Sequence, residues 1–262
     1  MSFSQKVTVV TGASSGIGRR TALDLAAEGA SVCAVARRED RLRELLGELR
    51  GPGEHTIFVA DVADRARVAG LARHVEETYG RCDVLVNNAG MSRGRAFSGE
   101  ESVADVEAVM ATNFFGTVYC TAALLPLLER SAPAHVVNVA SVAGRLSFGT
   151  SSAYCASKFA TVGWSEGIRF DLEASGVYVS LVEPGPIPTE GFSQKALVDH
   201  PVLKHVLGTE GDVSRAIRDA IEGRKMERVV PRWYYLLQIP RILVPPLYRR
   251  AARRFSSARA GS

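Results

Sequence analysis

A chain of 262 residues, 46% of them hydrophobic, can bury a large core, and α/β folds of this length are commonly single domains. Its net charge of +4 is uneven: from Arg228 onward there are eight arginines and no lysine, aspartate or glutamate, so the rest of the chain is net acidic, unlike a nucleic-acid-binding face. Cys33, Cys82, Cys120 and Cys155 show no CxxC pattern and follow no basic, apolar leader, and the histidines are scattered; a cytoplasmic protein without a metal site is expected.

The first predicted element is a β-branched strand at 6–11, followed by a glycine-rich turn and a helical pattern through Leu23, Leu25 and Ala26. The order then repeats as strand 31–36, helix 38–50, strand 56–60 and helix 65–79. Further strands are predicted at 82–86, 135–139, 177–182 and 227–230, with long helical stretches separating the fourth, fifth and sixth. Strands alternating with helices imply an α/β fold: a doubly wound parallel sheet (a Rossmann fold) of about seven strands flanked by helices. Ligands of such sheets sit outside the carboxyl ends of the strands. Residues 1–230 are expected to form one domain with a lid at 184–207, and residues 231–262 a basic, apolar C-terminal extension.

After the first strand comes Thr11-Gly12-Ala13-Ser14-Ser15-Gly16-Ile17-Gly18. Its three glycines permit a tight turn, close approach to a pyrophosphate and close helix packing, while the helix start offers free amides to the anion. An ordinary βα connection is the alternative, and the strand before and helix after argue against it. In dinucleotide folds an acid ending the second strand holds the adenosine ribose, whereas a 2′-phosphate favours arginine. Here that stretch reads Ala34-Val35-Ala36-Arg37-Arg38, so NADP(H) is favoured over NAD(H), unless the two arginines merely open a solvated helix.

Tyr154 and Lys158 stand four apart at the start of a helical pattern, so their side chains share one face. Positive charge beside a phenol, whose ordinary pKa is about 10, favours the phenolate and lets Tyr154 exchange a proton with a substrate oxygen. Such a pair is also a common surface contact. Ser141 ends the fifth strand in Val137-Asn138-Val139-Ala140-Ser141, on the same carboxyl edge as the glycine turn, where its hydroxyl can bond the substrate oxygen.

With these motifs the chain resembles the short-chain dehydrogenase/reductase family across residues 5 to about 230. The family's glycine motif matches Gly12, Gly16 and Gly18, its adenine contact matches Asp61-Val62, and its NNAG segment matches Asn87-Asn88-Ala89-Gly90. Its catalytic tetrad falls on Asn113, Ser141, Tyr154 and Lys158. Pro184-Gly185-Pro186-Ile187-Pro188-Thr189 resembles its PG motif, whose following residues contact the nicotinamide carboxamide and phosphates. The resemblance implies that Ser141 orients the substrate oxygen, Tyr154 is acid and base, Lys158 binds the nicotinamide ribose and lowers the tyrosine pKa, and Asn113 holds a relay water. It also implies an oxidoreductase acting on a carbonyl or secondary alcohol, and a homodimer or homotetramer pairing through the long helices after strands four and five. Ser15 departs from the pattern, because many NADP-dependent members carry a basic residue there.

Met91, Phe97, Leu146, Phe148, Phe192, Leu197 and Leu203 are the expected pocket walls, an apolar set that suits a lipophilic small-molecule substrate, although several can instead close the core. A non-catalytic, cofactor-sensing regulator or a membrane-surface scaffold on the same fold is the alternative, and the intact Ser/Tyr/Lys set argues against both. The extension interleaves Trp233, Tyr234, Tyr235, Leu236 and Leu237 and later aliphatics with arginines, and Arg232, Arg241 and three prolines break any spanning run. Two outcomes are open for it: peripheral contact with an anionic membrane, or packing on the body or a partner subunit.

Overall fold

The computed structural model describes residues 3–93, 96–147, 149, 151–191, 198–199 and 207–260. Its seven strands are β1 (Val7–Thr11), β2 (Ser31–Ala36), β3 (His55–Val59), β4 (Val84–Asn87), β5 (Ala134–Val139), β6 (Val177–Pro184) and β7 (Glu227–Val230). They form one parallel sheet in the order β3-β2-β1-β4-β5-β6-β7.

Both faces of the sheet are covered, which is why the strands read as continuous apolar runs. Successive residues point to opposite faces. Val10, Ala34, Val86, Val137 and Val182 meet α1 (Gly16–Ala27), α2 (Glu39–Glu48) and α7 (Glu210–Glu222), whose Leu25, Leu42 and Ile217 are fully buried. Val9, Cys33, Val35, Leu85 and Val136 face the other way, against Leu71 of α3 (Arg65–Tyr79) and Leu124 and Leu128 of α5 (Gly116–Arg130). Between β4 and α5 lies α4 (Val103–Met110), and α6 (Ser152–Glu173) follows β5. The run Val103–Arg130 is long and apolar enough to cross a membrane, but its Cys120, Leu124, Leu127 and Leu128 are packed on the sheet.

Local chemistry sets the element ends. Helix α3 has the expected bounds because Asp64 caps it, accepting from Ala66 N and Arg67 N, and Gly80 ends it at φ +66°. Helix α7 begins at Glu210, ahead of its apolar periodicity, because Thr209 and Asp212 form a capping box. Strand β4 starts two residues later than its apolar run suggests: Asp83 there takes hydrogen bonds from Lys6 Nζ (2.9 Å), Val7 N (2.9 Å) and Arg81 Nη2 (2.7 Å).

After β7 the extension passes through a 3₁₀ segment, Arg232–Gln238, then α8 (Ile239–Leu243) and α9 (Pro245–Ala260). Part of it packs on the body: Tyr234 is buried with Val142 and Val229, and Tyr248 Oη accepts from Ser147 N at 3.0 Å. Other apolar residues, Ile242 and Leu243 among them, remain exposed. Within the expected lid, 192–197 and 200–206 lie outside the described residues.

Candidate active site

The strand order reverses between β1 and β4, and the crevice opens over their carboxyl ends. Thr11 joins the two strands: Asn88 N and Ala89 N donate to its Oγ1, both at 3.0 Å, and it donates to Val86 O at 3.3 Å. Two of the glycines are required by this close approach. Gly12 has φ +66°, and a Cβ there would lie 2.8 Å from Ala89 Cα; at Gly18 a Cβ would lie 2.4 Å from Gly12 O. Ser15, the N-cap of α1, makes no side-chain cap, so the amides of the first helical turn are left for a ligand.

From this turn a cleft of ≈ 860 Å³ runs to Ser141, Tyr154 and Lys158. Gly12, Ser14, Ser15, Gly16, Ile17, Arg37, Arg38, Asp61, Val62, Asn88, Ala89, Gly90, Pro184, Gly185, Ile187 and Thr189 all line it, so the structure brings together every expected cofactor residue except Gly18, which packs behind the turn. At one end Arg38 arches over the turn, donating to Ser15 Oγ (2.8 Å) and Ser14 Oγ (3.1 Å) and pairing with Glu190 Oε1 (2.6 Å). Arg37 Nη1 lies 3.6 Å from Asp61 Oδ2. Glu190 escapes notice in the sequence; the hydrogen bond and charge of Arg38 hold its carboxyl below the usual range.

At the other end, β5 delivers Ser141 in extended conformation. Its Oγ accepts from Ala143 N (3.1 Å), donates to Pro184 O (3.2 Å) and hydrogen-bonds the Tyr154 hydroxyl. Helix α6 presents Tyr154 and the buried Lys158 on one face, with Lys158 Nζ 5.7 Å from the ring centre and donating to Val139 O at 2.9 Å. Burial pushes the Tyr154 pKa up to about 12, partly offset by Ser141, and pushes Lys158 down to about 8. The expected lowering of the phenol by lysine is therefore not a property of the protein alone: desolvation dominates both groups, and the ammonium is engaged with a backbone carbonyl.

Asn113 does not line the cleft. It sits in a single π turn, Ala111–Phe115, between α4 and α5, where the extra residue breaks the helical register. Its Oδ1 accepts from Met91 N (2.8 Å), and its Nδ2 donates to Met91 O (2.9 Å) and Ser157 Oγ (2.9 Å). Both amide protons are engaged, so the side chain braces the loop after β4 against α6.

Of the expected pocket walls, Met91 and Leu146 line the cleft, whereas Phe97 is exposed and does not line it; Phe148, Phe192, Leu197 and Leu203 lie outside the described residues. Trp233, Tyr234 and Leu237 also line it and were not expected to. Behind the site, Arg145 donates to the fully buried Glu183 (2.9 Å) and to Glu166 (2.8 Å), and lies 3.5 Å from Glu227.

Comparison with known proteins agrees with this geometry. A family model for short chain dehydrogenases matches residues 6–197. The sequence is 39% identical over 190 residues to "Dehydrogenase/reductase SDR family member 7B" of Bos taurus, covering 70% of this chain and 58% of that protein, so the chain spans little more than half that relative's length. Among solved structures, it is similar to a short chain dehydrogenase from Burkholderia cenocepacia in complex with NADP (26% identity, 95% of this chain and 98% of that one, TM-score 0.80). A short chain dehydrogenase/reductase from Burkholderia phymatum in complex with NAD gives 28% identity, 95% and 93% coverage, and a TM-score of 0.78.

Proposed function

Because the chain belongs to the short-chain dehydrogenase/reductase family, we propose that it is an oxidoreductase that moves a hydride between NADP(H) and a carbonyl or secondary alcohol of a lipophilic substrate. The observation that carries this reading is the meeting of Ser141, Tyr154 and Lys158 at one end of a cleft whose other end is the glycine turn with Arg37 and Arg38. The residues fit a dinucleotide. Positive φ at Gly12 and Gly16 and the crowding at Gly12 keep these positions glycine, which leaves bare backbone facing the cleft, and α1 offers its open first turn. Arg37 and Arg38 support the 2′-phosphate form, because a guanidinium can meet a phosphate with two charge-assisted hydrogen bonds.

The bound nicotinamide supplies or takes up the hydride. Tyr154, protonated over the neutral range by its raised pKa, gives its proton to the carbonyl oxygen during reduction and is left as phenolate; in oxidation it is that phenolate which takes the alcohol proton. Ser141 orients that oxygen by turning its one hydroxyl proton from Pro184 O to the substrate while Ala143 N holds its Oγ in place. Lys158, one helical turn on, donates to the ribose and adds positive charge that favours the phenolate. Asn113 keeps the Met91 loop and α6 in register.

Residues up to about 230, with a lid at 184–207, form the catalytic domain in this reading, and the extension supplies a peripheral membrane contact to an otherwise cytoplasmic enzyme. Phe115, at the start of α5, and Phe170 of α6 are exposed, which supports pairing of two or four copies through those helices. Reduction of an aldehyde and ketone panel with NADPH and with NADH tests the core of the reading. No turnover with either cofactor would leave the non-catalytic alternative standing.

A further inference from the structure

We propose that the C-terminal extension builds the outer wall of the substrate cleft, where Trp233 and Leu237 select substrates whose carbonyl carries a bulky apolar group. This rests on the enzymatic reading above and assigns its substrate selection to residues outside the family motifs. Topology brings the wall there: Pro184 pairs with Val230 at the end of the sheet, and Gly185 N donates to Val230 O at 2.7 Å, so the residues after β7 emerge beside the segment that flanks Ser141. Tyr234 is the anchor, buried with its ring against Gly185, where a Cβ would lie only 2.8 Å from Tyr234 Cε2. Gly185 is thereby explained by packing, since its φ is not one that demands glycine.

Trp233 stacks on that ring, with centroids 4.2 Å apart and planes 22° apart, and keeps 44% of its surface exposed. An indole fixed by a buried neighbour and open on its other side offers a flat apolar face at little entropic cost. Leu237, one turn on, lines the same cleft. Further along, the Arg241 guanidinium lies 4.6 Å from the centre of the Phe159 ring and donates to Arg145 O, so the wall is fastened to the helix that carries Tyr154 and Lys158. Together with Met91, Leu146 and Ile187, these side chains place no fixed charge against the ligand. The part of the substrate they touch is therefore alkyl or aromatic.

The test is kcat/KM with NADPH on the full chain for linear aldehydes from propanal to decanal. Burying each added methylene is worth roughly a threefold to fourfold gain, so the wild type should climb along part of the series. Trp233→Ala and Leu237→Ala should each lower the decanal-to-propanal ratio at least about tenfold, chiefly through KM, and Trp233→Phe should restore most of it. A ratio within about twofold of wild type in both alanine variants overturns the proposal. A second measurement is independent of turnover. Trp164 and Trp233 are the two tryptophans, so in Trp164→Phe the emission reports on Trp233 alone. A terminally brominated decanol should quench it saturably; absence of quenching overturns the wall while leaving the enzymatic reading intact. Quenching without turnover of any aldehyde would overturn the enzymatic reading and leave an apolar binding site.

Discussion

Lys158 Nζ lies 5.7 Å from the centre of the Tyr154 ring and is held there by Val139 O at 2.9 Å. The two groups are coupled through position rather than direct contact, and their removal should separate two functions. Tyr154→Phe should reduce turnover by at least about two orders of magnitude with cofactor affinity retained, the scale typical of a general acid or base. Lys158→Met should raise the cofactor Kd as well. Because burial lowers the Lys158 pKa to about 8, its charge is present below that pH and lost above it. Cofactor affinity followed by fluorescence titration should therefore weaken as pH rises through about 8 in the wild type and stay flat in Lys158→Met. Equal turnover of wild type and Tyr154→Phe would remove the tyrosine from the chemistry.

Arg38 is tied to Ser14, Ser15 and Glu190, and Arg37 lies by Asp61, so both guanidinium groups are already positioned beside the glycine turn. The ratio of kcat/KM for NADPH over NADH should exceed one and drop about tenfold in Arg37→Ala, a loss of about 1.4 kcal/mol. Glu190→Gln should raise NADPH affinity, because it removes a carboxylate that competes with the 2′-phosphate for Arg38. A wild-type preference for NADH under matched conditions would overturn the assignment of this end of the cleft.

The sheet and the polar residues of the cleft were legible in the sequence because each rests on local pattern: β-branched runs for the strands, glycines where a Cβ would collide, and Tyr154 and Lys158 at helical spacing. The environment of those residues was not legible. The Tyr154 pKa depends on how many atoms exclude water from the phenol, and those come from several elements distant in the chain. The bracing contacts of Asn113 were not legible either: its donors go to Met91 and Ser157, partners 22 and 44 positions away. Trp233, Tyr234 and Leu237 read as part of an extension that either meets a membrane or packs on the body or a partner, and nothing local shows that β7 ends beside Pro184 and so brings them to the cleft. The pairing of β6 with β7 carries that information, and it exists only once the sheet order is known.

Glu183, fully buried in front of Pro184, gives a stability prediction. Burial raises its pKa against the opposing charge of Arg145, and the facing Glu227 carboxyl raises it further. The native protein then keeps a proton on this group at pH values where the unfolded chain has lost it, so stability falls as pH rises from the ordinary carboxylate range towards neutrality. Urea melts of the wild type should show decreasing stability over roughly pH 5 to 8, and Glu183→Gln, which keeps a hydrogen-bonding side chain without the charge, should flatten that slope. Parallel pH profiles for the two proteins would show that Arg145 outweighs burial and that Glu183 is ionised in the native state.

The outer face of the extension is apolar and basic. Leu236, Ile242, Leu243 and Leu247 are 61%, 74%, 72% and 60% exposed, more apolar surface than a solvated helix needs to show. Arg232, Arg249, Arg250 and Arg253 lie in the same segment, which carries no acidic residue. Each arginine near an anionic surface contributes about 1 kcal/mol, and the attraction decays over a Debye length of about 10 Å in 0.1 M salt. Apolar residues beside such charges match the headgroup boundary of an anionic bilayer, and the wall formed by Trp233 and Leu237 would then open towards the phase that dissolves a lipophilic substrate. Cutting the chain at Pro231 would also remove Tyr234 and the cleft wall, so the outer face is better altered alone, by replacing Ile242 and Leu243 together with glutamate. The full chain should float with vesicles rich in phosphatidylglycerol at low salt and be released as salt is raised, and the double variant should stay at the bottom of the gradient. If the wild type does not float, membrane contact is excluded as the role of this face. A dimer in light scattering that the double variant converts to monomer would then identify a second copy of the chain as what covers it.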